Sequence, residues 1–410
     1  MTARSGLAEG GIPKIVIMIG AFIRGGCERQ AFLLSRELNR SHGLNAEVWA
    51  LSGDRYDSAY AGEFEADGVP TRVVGFSRPT EAPLRVQRVA HWGSELSRVL
   101  RRLRAGQIDV LLPLTTWPNV VCGITYRLAG VRVCIWGERH AGGERVPTPE
   151  RLAVRQYRRF VANSSAGVEF LATEMHVRRE QISFVPNGVE PPNIDPKIDW
   201  RARLGLSPGQ LLVVKVANLT GYKDHATLLR GWKLVQDRWS DGTKPVLALA
   251  GHLDDTYSEC ERFVREAGLQ SSVQFLGAVP GVTDLLLASD LGVFSSRNEG
   301  MPNGVLECMA VGRAVVASDL PGIRDALGPG ATDTVVPPGD IDRFGRVLLE
   351  MLRDKERRVR VGEMNRLRVI REFSVEKMAE RHLEIVSASL CDVGGRSWNG
   401  IPAPRSGVAA

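Results

Sequence analysis

At 410 residues the chain is long for one domain, and 43% apolar with 24% charged residues is a globular composition, not a disordered or fibrous one. Six cysteines (Cys27, Cys122, Cys134, Cys260, Cys308, Cys391) show no CxxC pair and the seven histidines no HxxxH pair, which argues against a disulfide framework and a structural zinc. No run of about 18 apolar residues reads as a membrane span, and a net charge of +6 carried mostly by arginine leaves a reduced, cytoplasmic, enzyme-sized protein as the expectation.

Residues 1–12 read as disordered. Pro13-Lys14 precedes Ile15-Val-Ile-Met-Ile19, a strand and not a signal peptide. That strand runs into Gly20-Ala-Phe-Ile-Arg-Gly-Gly26, and a helix follows with Ala31, Leu34 and Leu38 on one face. The turn is neither GxGxxG nor GxxxxGK[ST]; its glycines fit a close backbone approach to a ligand or a plain tight turn. Strands at 47–51 and 71–74 extend a βαβα pattern, which implies a mostly parallel sheet. The helix expected over 84–104 carries Arg85, Arg88, Arg98, Arg101, Arg102 and Arg104 against Glu95. This is either a solvated face or a surface for anionic lipid; without interleaved aromatics, nucleic acid is disfavoured.

Further strands are expected at 109–114 and 131–136, the second ending in Gly137-Glu-Arg-His-Ala-Gly-Gly143. Open α/β sheets place ligands at the strands' C-terminal edge, which makes His140 a candidate hydrogen-bond donor or base. Arg155, Arg158 and Arg159 add basic surface before a strand at 160–162, and Asn163-Ser-Ser resembles a helix N-cap. The strand at 182–185 leads into Pro186-Asn-Gly-Val-Glu-Pro-Pro192, whose turn residues mark a domain boundary.

The second half repeats the plan. A strand at 211–216 runs into Ala217-Asn-Leu-Thr-Gly-Tyr-Lys-Asp-His225, placing Lys223 at a strand edge, and strand-to-loop units follow at 245–251, 273–277, 291–294 and 314–322. After a strand at 334–336 come a helix at 341–353, a charged segment at 354–372 and an amphipathic helix at 375–390.

Within this half, Ser295-Ser-Arg-Asn-Glu-Gly-Met-Pro-Asn-Gly-Val-Leu-Glu-Cys-Met-Ala310 reads as strand end, turn and helix. A helix start offers unpaired N–H groups and the positive end of its dipole, which favour a phosphate. Glu299 in the turn and Glu307 about one turn into the helix are the wrong charge for that phosphate, but suitable acceptors for paired hydroxyls.

Gly25-Gly-Cys-Glu-Arg29, Val185-Pro-Asn-Gly-Val-Glu190, Lys223-Asp-His225, Phe275-Leu-Gly277, Ala288-Ser-Asp290 and the Glu-x7-Glu stretch follow in an order that resembles the large retaining glycosyltransferase family four, over nearly the whole chain. The resemblance implies a GT-B fold: two Rossmann-like parallel-sheet domains facing each other across a cleft. On that plan 1–190 forms an acceptor-side domain and 191–374 a nucleotide-sugar domain; the helix 375–390 packs back on the first, and 391–410 is a disordered tail. It also implies a UDP- or GDP-sugar donor, no metal or other cofactor, and retention of anomeric configuration. Carried over, Glu299 contacts the transferred sugar and Glu307 the ribose. Lys223 compensates the diphosphate, backbone N–H groups of Gly300, Met301, Pro302's neighbour Asn303 and their loop orient sugar and phosphate, and Gly277 to Val279 edge the base. Gly25 and Gly26 approach from the other domain, with His140 near the sugar. Many relatives carry an arginine where this chain has Asn218, so Arg297 or Arg24 is expected to substitute. The acceptor expected is lipid-linked or a polysaccharide, in cell-envelope or exopolysaccharide assembly at an anionic membrane surface. A dinucleotide-binding Rossmann protein and a catalytically silent scaffold stay open as alternatives.

Overall fold

The computed structural model describes residues 12–53, 57–77, 85–140 and 148–394, the side chains of 85–89 excepted. The expectations for residues 1–11, for the arginines at 85 and 88, for 141–143 and for 395–410 lie outside the described residues. The chain divides into two compact units, Met1–Gly188 with Val375–Ala410, and Val189–Ser374.

Unit 1 holds β1 (Lys14–Ile19), β2 (Asn45–Ala50), β3 (Thr71–Val73), β4 (Val110–Pro113), β5 (Val133–Glu138), β6 (Arg159–Ala162) and β7 (Ile182–Phe184), ordered β3-β2-β1-β4-β5-β6-β7. Every pairing is parallel. Side chains alternate across a strand, and a sheet covered on both faces buries both sets. Ile15, Ile17 and Ile19 meet Leu34 and Leu38 of the helix Gly26–Arg40, together with Met378, Leu383 and Val386 of the helix Val375–Gly394. Val16 and Met18 face the opposite cluster, with Val99 and Leu103 of the helix Arg85–Gly106. The C-terminal helix thus supplies core to the first unit, and it runs four residues past the expected end, into the segment read as a tail.

Unit 2 holds β8 (Leu212–Val216), β9 (Val246–Ala250), β10 (Val273–Gly277), β11 (Leu291–Phe294), β12 (Val315–Ser318) and β13 (Val335–Val336), ordered β10-β9-β8-β11-β12-β13 and again all parallel. Its β8 alternates in the same way, with Leu212 and Val214 in one cluster and Val213 in the other. The chain leaves unit 1 at Gly188, gripped by Gln30, whose amide donates to Gly188 O at 2.8 Å and accepts from Gly188 N at 2.9 Å. This puts the boundary two residues before the expected one.

Two local expectations are corrected. The charged segment 354–372 is a helix, Lys355–Glu372, burying Arg358, Gly362, Asn365 and Val369. Those four recur at helical spacing, but only one is a hydrophobe, so the stripe is hidden among charges. Strand β5 extends through Gly137 and Glu138, which the sequence places in a loop. Among the described residues no helix is long and apolar enough to cross a membrane.

Candidate active site

In both sheets the chain reverses direction of winding beside the first strand, between β1 and β4 in unit 1 and between β8 and β11 in unit 2. Such switch points leave a crevice at the strands' C-terminal ends, because the two following loops diverge to opposite faces. In unit 2 those loops carry Lys223, after β8, and Glu299, after β11. They meet: Lys223 Nζ lies 2.6 Å from Glu299 Oε1, with the side chains 17% and 9% exposed. Ser296 Oγ donates to the same carboxylate oxygen at 2.7 Å.

Beneath this pair lies a group that sequence reading missed. Lys215, in the middle of β8, is fully buried and donates to Lys223 O and, at 2.9 Å, to Ser295 Oγ. Ser295 Oγ in turn donates to Asp224 O at 2.8 Å. One ammonium therefore ties the β8 loop to the β11 loop. Burial first, and then the charge of Lys223, push its pKa down to about 7, against the pull of Glu299 and Asp224. The signal was present in the sequence as a lysine inside the apolar run Leu-Val-Val-Lys-Val, since a lysine there must find partners.

Asp224 sits at φ 47°, ψ 52° and caps the helix His225–Arg238, accepting from Thr227 N at 3.2 Å and Thr227 Oγ1 at 2.8 Å. Asp tolerates this left-handed geometry better than most residues. Burial would raise its carboxyl, but the Arg297 guanidinium and the Thr227 bonds outweigh that and hold it below its ordinary value. Arg297 Nε lies 2.9 Å from Asp224 Oδ2. Arg24, in unit 1, is paired with Glu63 at 2.5 Å. Both arginines expected to stand in for the cation missing at Asn218 are engaged in ion pairs, as Lys223 itself is, and Lys215 is a further amine buried beneath Lys223. Asn218 itself accepts from His252 N at 3.0 Å, joining the loops after β8 and β9.

The rest of the β11 loop is set by close packing. Gly300, Met301 and Pro302 are buried, and the helix Asn303–Ala310 starts without a side-chain cap. Gly322, which opens the next helix, lies so near that a Cβ there would sit 1.5 Å from Gly300 O, so only glycine lets the loop take this path. Glu307 is half-buried in the second turn of that helix, and Gly277, at φ 65°, ends β10 with Val279 packed on the core. The Asp-x-Asp pair Asp340-Ile-Asp342 opens a helix, with Asp340 Oδ1 accepting from Arg343 N at 3.0 Å.

In unit 1, Gly25 precedes the helix Gly26–Arg40, and Glu28 in its first turn folds back so that a Cβ on Gly25 would meet Glu28 Oε2 at 2.4 Å. Burial pushes Glu28 up to about 7. A raised carboxyl binds more protons folded than unfolded, so its cost is absent below pH 4.5 and complete above pH 7. Glu28→Gln is therefore expected to leave stability unchanged at pH 4.5 and raise it at pH 8 by up to about 3 kcal/mol. Urea unfolding at the two pH values checks this, and an equal change at both would refute it. His140 is exposed just beyond β5, its N–H donating to Glu138 Oε1 at 3.1 Å. Glu138 is buried and likewise pushed up to about 7 by burial.

Known proteins resemble this chain over most of its length. The model for glycosyltransferase family 4 matches residues 24–192 and that for glycosyl transferases group 1 matches 196–368. The D-inositol 3-phosphate glycosyltransferase of Nocardia farcinica is 27% identical over 271 residues, 64% of this chain and 57% of that protein. A lipopolysaccharide core biosynthesis mannosyltransferase of Rhizobium leguminosarum is 37% identical over 114 residues, 28% and 32% of the two chains. The chain spans about half the length of the curated relatives it matches. Among solved structures, HepE of Anabaena in complex with UDP and glucose superposes with a TM-score of 0.77 at 18% identity, covering 92% of this chain and 100% of that one. Two parallel sheets of this order, with one family model on each, place the chain among the group 1 glycosyltransferases of family four, enzymes of the GT-B fold.

Proposed function

We propose that the chain moves a sugar from a nucleoside-diphosphate donor to a lipid-linked or polysaccharide acceptor in cell-envelope or exopolysaccharide synthesis, on the cytoplasmic side of the membrane. The reading rests on the Lys223–Glu299 pair at the unit 2 switch point. A departing diphosphate concentrates negative charge, and a fixed ammonium beside it lowers the barrier most. In this reading Lys223 turns to the diphosphate and the carboxylate of Glu299 is released to the sugar hydroxyls. Glu307 accepts from the ribose, N–H groups between Gly300 and Asn303 orient the phosphate, and the segment from Gly277 to Val279 borders the base. The UDP complexes among the structural neighbours support a UDP donor. The lipopolysaccharide-core relative supports the acceptor class. Metal-independent retention, with leaving phosphate deprotonating the acceptor, goes with this family assignment. Gly25, Gly26 and His140 remain the unit 1 candidates, each beside a strand's C-terminal end. Among the described helix arginines, Arg98 pairs with Glu95 and Arg104 donates to Leu128 O, while Arg101 and Arg102 are exposed and are the described groups suited to a membrane surface.

A thermal-shift comparison of UDP, GDP, their sugars and NAD tests the donor. A ligand at a hundred times its Kd adds about 2.7 kcal/mol of stability. Stabilisation by UDP is expected, and Glu307→Gln is expected to weaken it about ten-fold or more through lost charged hydrogen bonds. Stabilisation by NAD and by neither nucleotide would replace this reading with the dinucleotide one.

A further inference from the structure

At the opposite edge of the unit 1 sheet, where β5 and β6 begin, lies a cavity of about 260 Å³. It is smaller than the roughly 300–1,000 Å³ of drug-sized ligand pockets, and so suits a compact group. Strand β5 is six residues long, which separates this edge from its C-terminal end by about 20 Å. The cavity is lined by four arginines, Arg127, Arg132, Arg158 and Arg159, against one carboxylate, Asp392. Two of the four are held in place by protein. Arg127 Nε donates to Tyr126 OH at 2.8 Å and its Nη2 to Gln156 O at 3.2 Å, while Arg159 Nη2 lies 2.8 Å from Asp392 Oδ2. Arg132 differs: its Nη1 is buried and has no hydrogen-bond partner among the described residues. A desolvated guanidinium nitrogen without an acceptor is unfavourable, and the one carboxylate leaves the four arginines with a net positive charge. Arg158 stands exposed at the rim.

We propose that this cavity binds a phosphoryl anion, separately from the donor site. The guanidinium fork matches phosphate oxygens two at a time, and Val131, Val133 and Cys134 in the lining lower the local dielectric, which strengthens the contact. The anion comes either from a soluble phosphate ester or from a phospholipid headgroup, which share this chemistry.

Hydrogen exchange on the full chain, read by peptide, separates this cavity from the donor site in the other unit. Inorganic pyrophosphate is expected to slow exchange in peptides covering 126–134, 156–160 and 387–394. Arg132→Gln and Arg158→Glu are each expected to weaken that protection about ten-fold in pyrophosphate concentration, and Lys223→Ala to leave it unchanged. Arg158 is exposed, so its replacement reports on binding even if the change at Arg132 disturbs the fold. Phosphatidylglycerol vesicles form the second arm, with phosphatidylcholine vesicles as reference. Protection by phosphatidylglycerol as well as pyrophosphate identifies a headgroup site, and protection by pyrophosphate alone identifies a soluble ligand. No protection of these peptides in either arm, or equal protection in the Arg158→Glu chain, overturns the proposal.

Discussion

Lys223→Ala is expected to lower kcat/KM for the donor by about 10² to 10³, the range seen when one preorganised stabiliser of developing charge is removed. The loss has two parts. The ammonium no longer attracts the diphosphate, worth about 4 kcal/mol of Coulomb energy at 4 Å and an effective dielectric of 20, before desolvation. In addition Glu299, only 9% exposed and 2.6 Å from the lysine in the intact protein, is left as an uncompensated carboxylate beside the leaving group. The second part gives the test its force. Nucleotide affinity in the double variant Lys223→Ala/Glu299→Ala should exceed that in Lys223→Ala alone, because the repelling charge has gone. Calorimetric titration of UDP into the four chains of this cycle measures the coupling. Additive losses would mean that the two residues serve independent subsites and that their pairing carries no mechanistic weight.

The second large effect concerns Lys215. Replacement by methionine is expected to cut kcat roughly a hundred-fold while leaving the melting temperature at pH 6 unchanged or higher. The activity falls because Lys223 O and Ser295 Oγ, which hold the two loops in register, lose their common donor, and a misplacement near 1 Å can cost about 10²-fold. Stability moves the other way because a buried ammonium is costly. Its pKa is lowered from 10.5 to about 7, so the folded protein binds fewer protons than the unfolded chain between those values. Stability of the natural protein therefore rises with pH over that window, and the penalty is complete below pH 7. The shift corresponds to something on the order of 5 kcal/mol, reduced in practice by the hydrogen bonds methionine cannot make. The advantage of the variant should shrink from pH 7 to pH 10. A variant that loses activity and stability together at every pH would make Lys215 an ordinary structural residue.

Much of the architecture was legible in the sequence. The parallel, both-faces-covered sheets announce themselves as short apolar runs ending in glycine-rich loops, such as Ile15–Ile19 before Gly20 and Leu291–Phe294 before the Glu299 turn. A strand buried on both faces needs nothing but apolar side chains, so local composition is enough to find it. Helix Lys355–Glu372 was not found in this way, because its buried stripe includes Arg358 and Asn365, whose polar ends are satisfied by carbonyls outside the helix: Arg358 donates to Met351 O at 2.8 Å, in the preceding helix, and Asn365 to Arg313 O at 2.9 Å. The glycine at 322 likewise carries no local signal. It is required by the carbonyl of Gly300, twenty-two positions away, and by nothing in its own helix.

For the site the division is similar. The sequence by itself determined the family, the two-unit plan and the residues worth naming, since Lys223, Glu299 and Glu307 stand at fixed offsets from strand ends and helix starts. Only the tertiary structure decided how those residues are used. The sheet order brings the loops after β8 and β11 together across 76 residues of chain, and so pairs Lys223 with Glu299. It commits Arg297 to Asp224, and it turns a lysine in the middle of a strand into the tie between the two loops. Propensity and periodicity act over a few residues, whereas the protonation state and orientation of a charged side chain depend on the desolvation and partners it meets after folding. Those are properties of neighbours in space, and no local pattern specifies them.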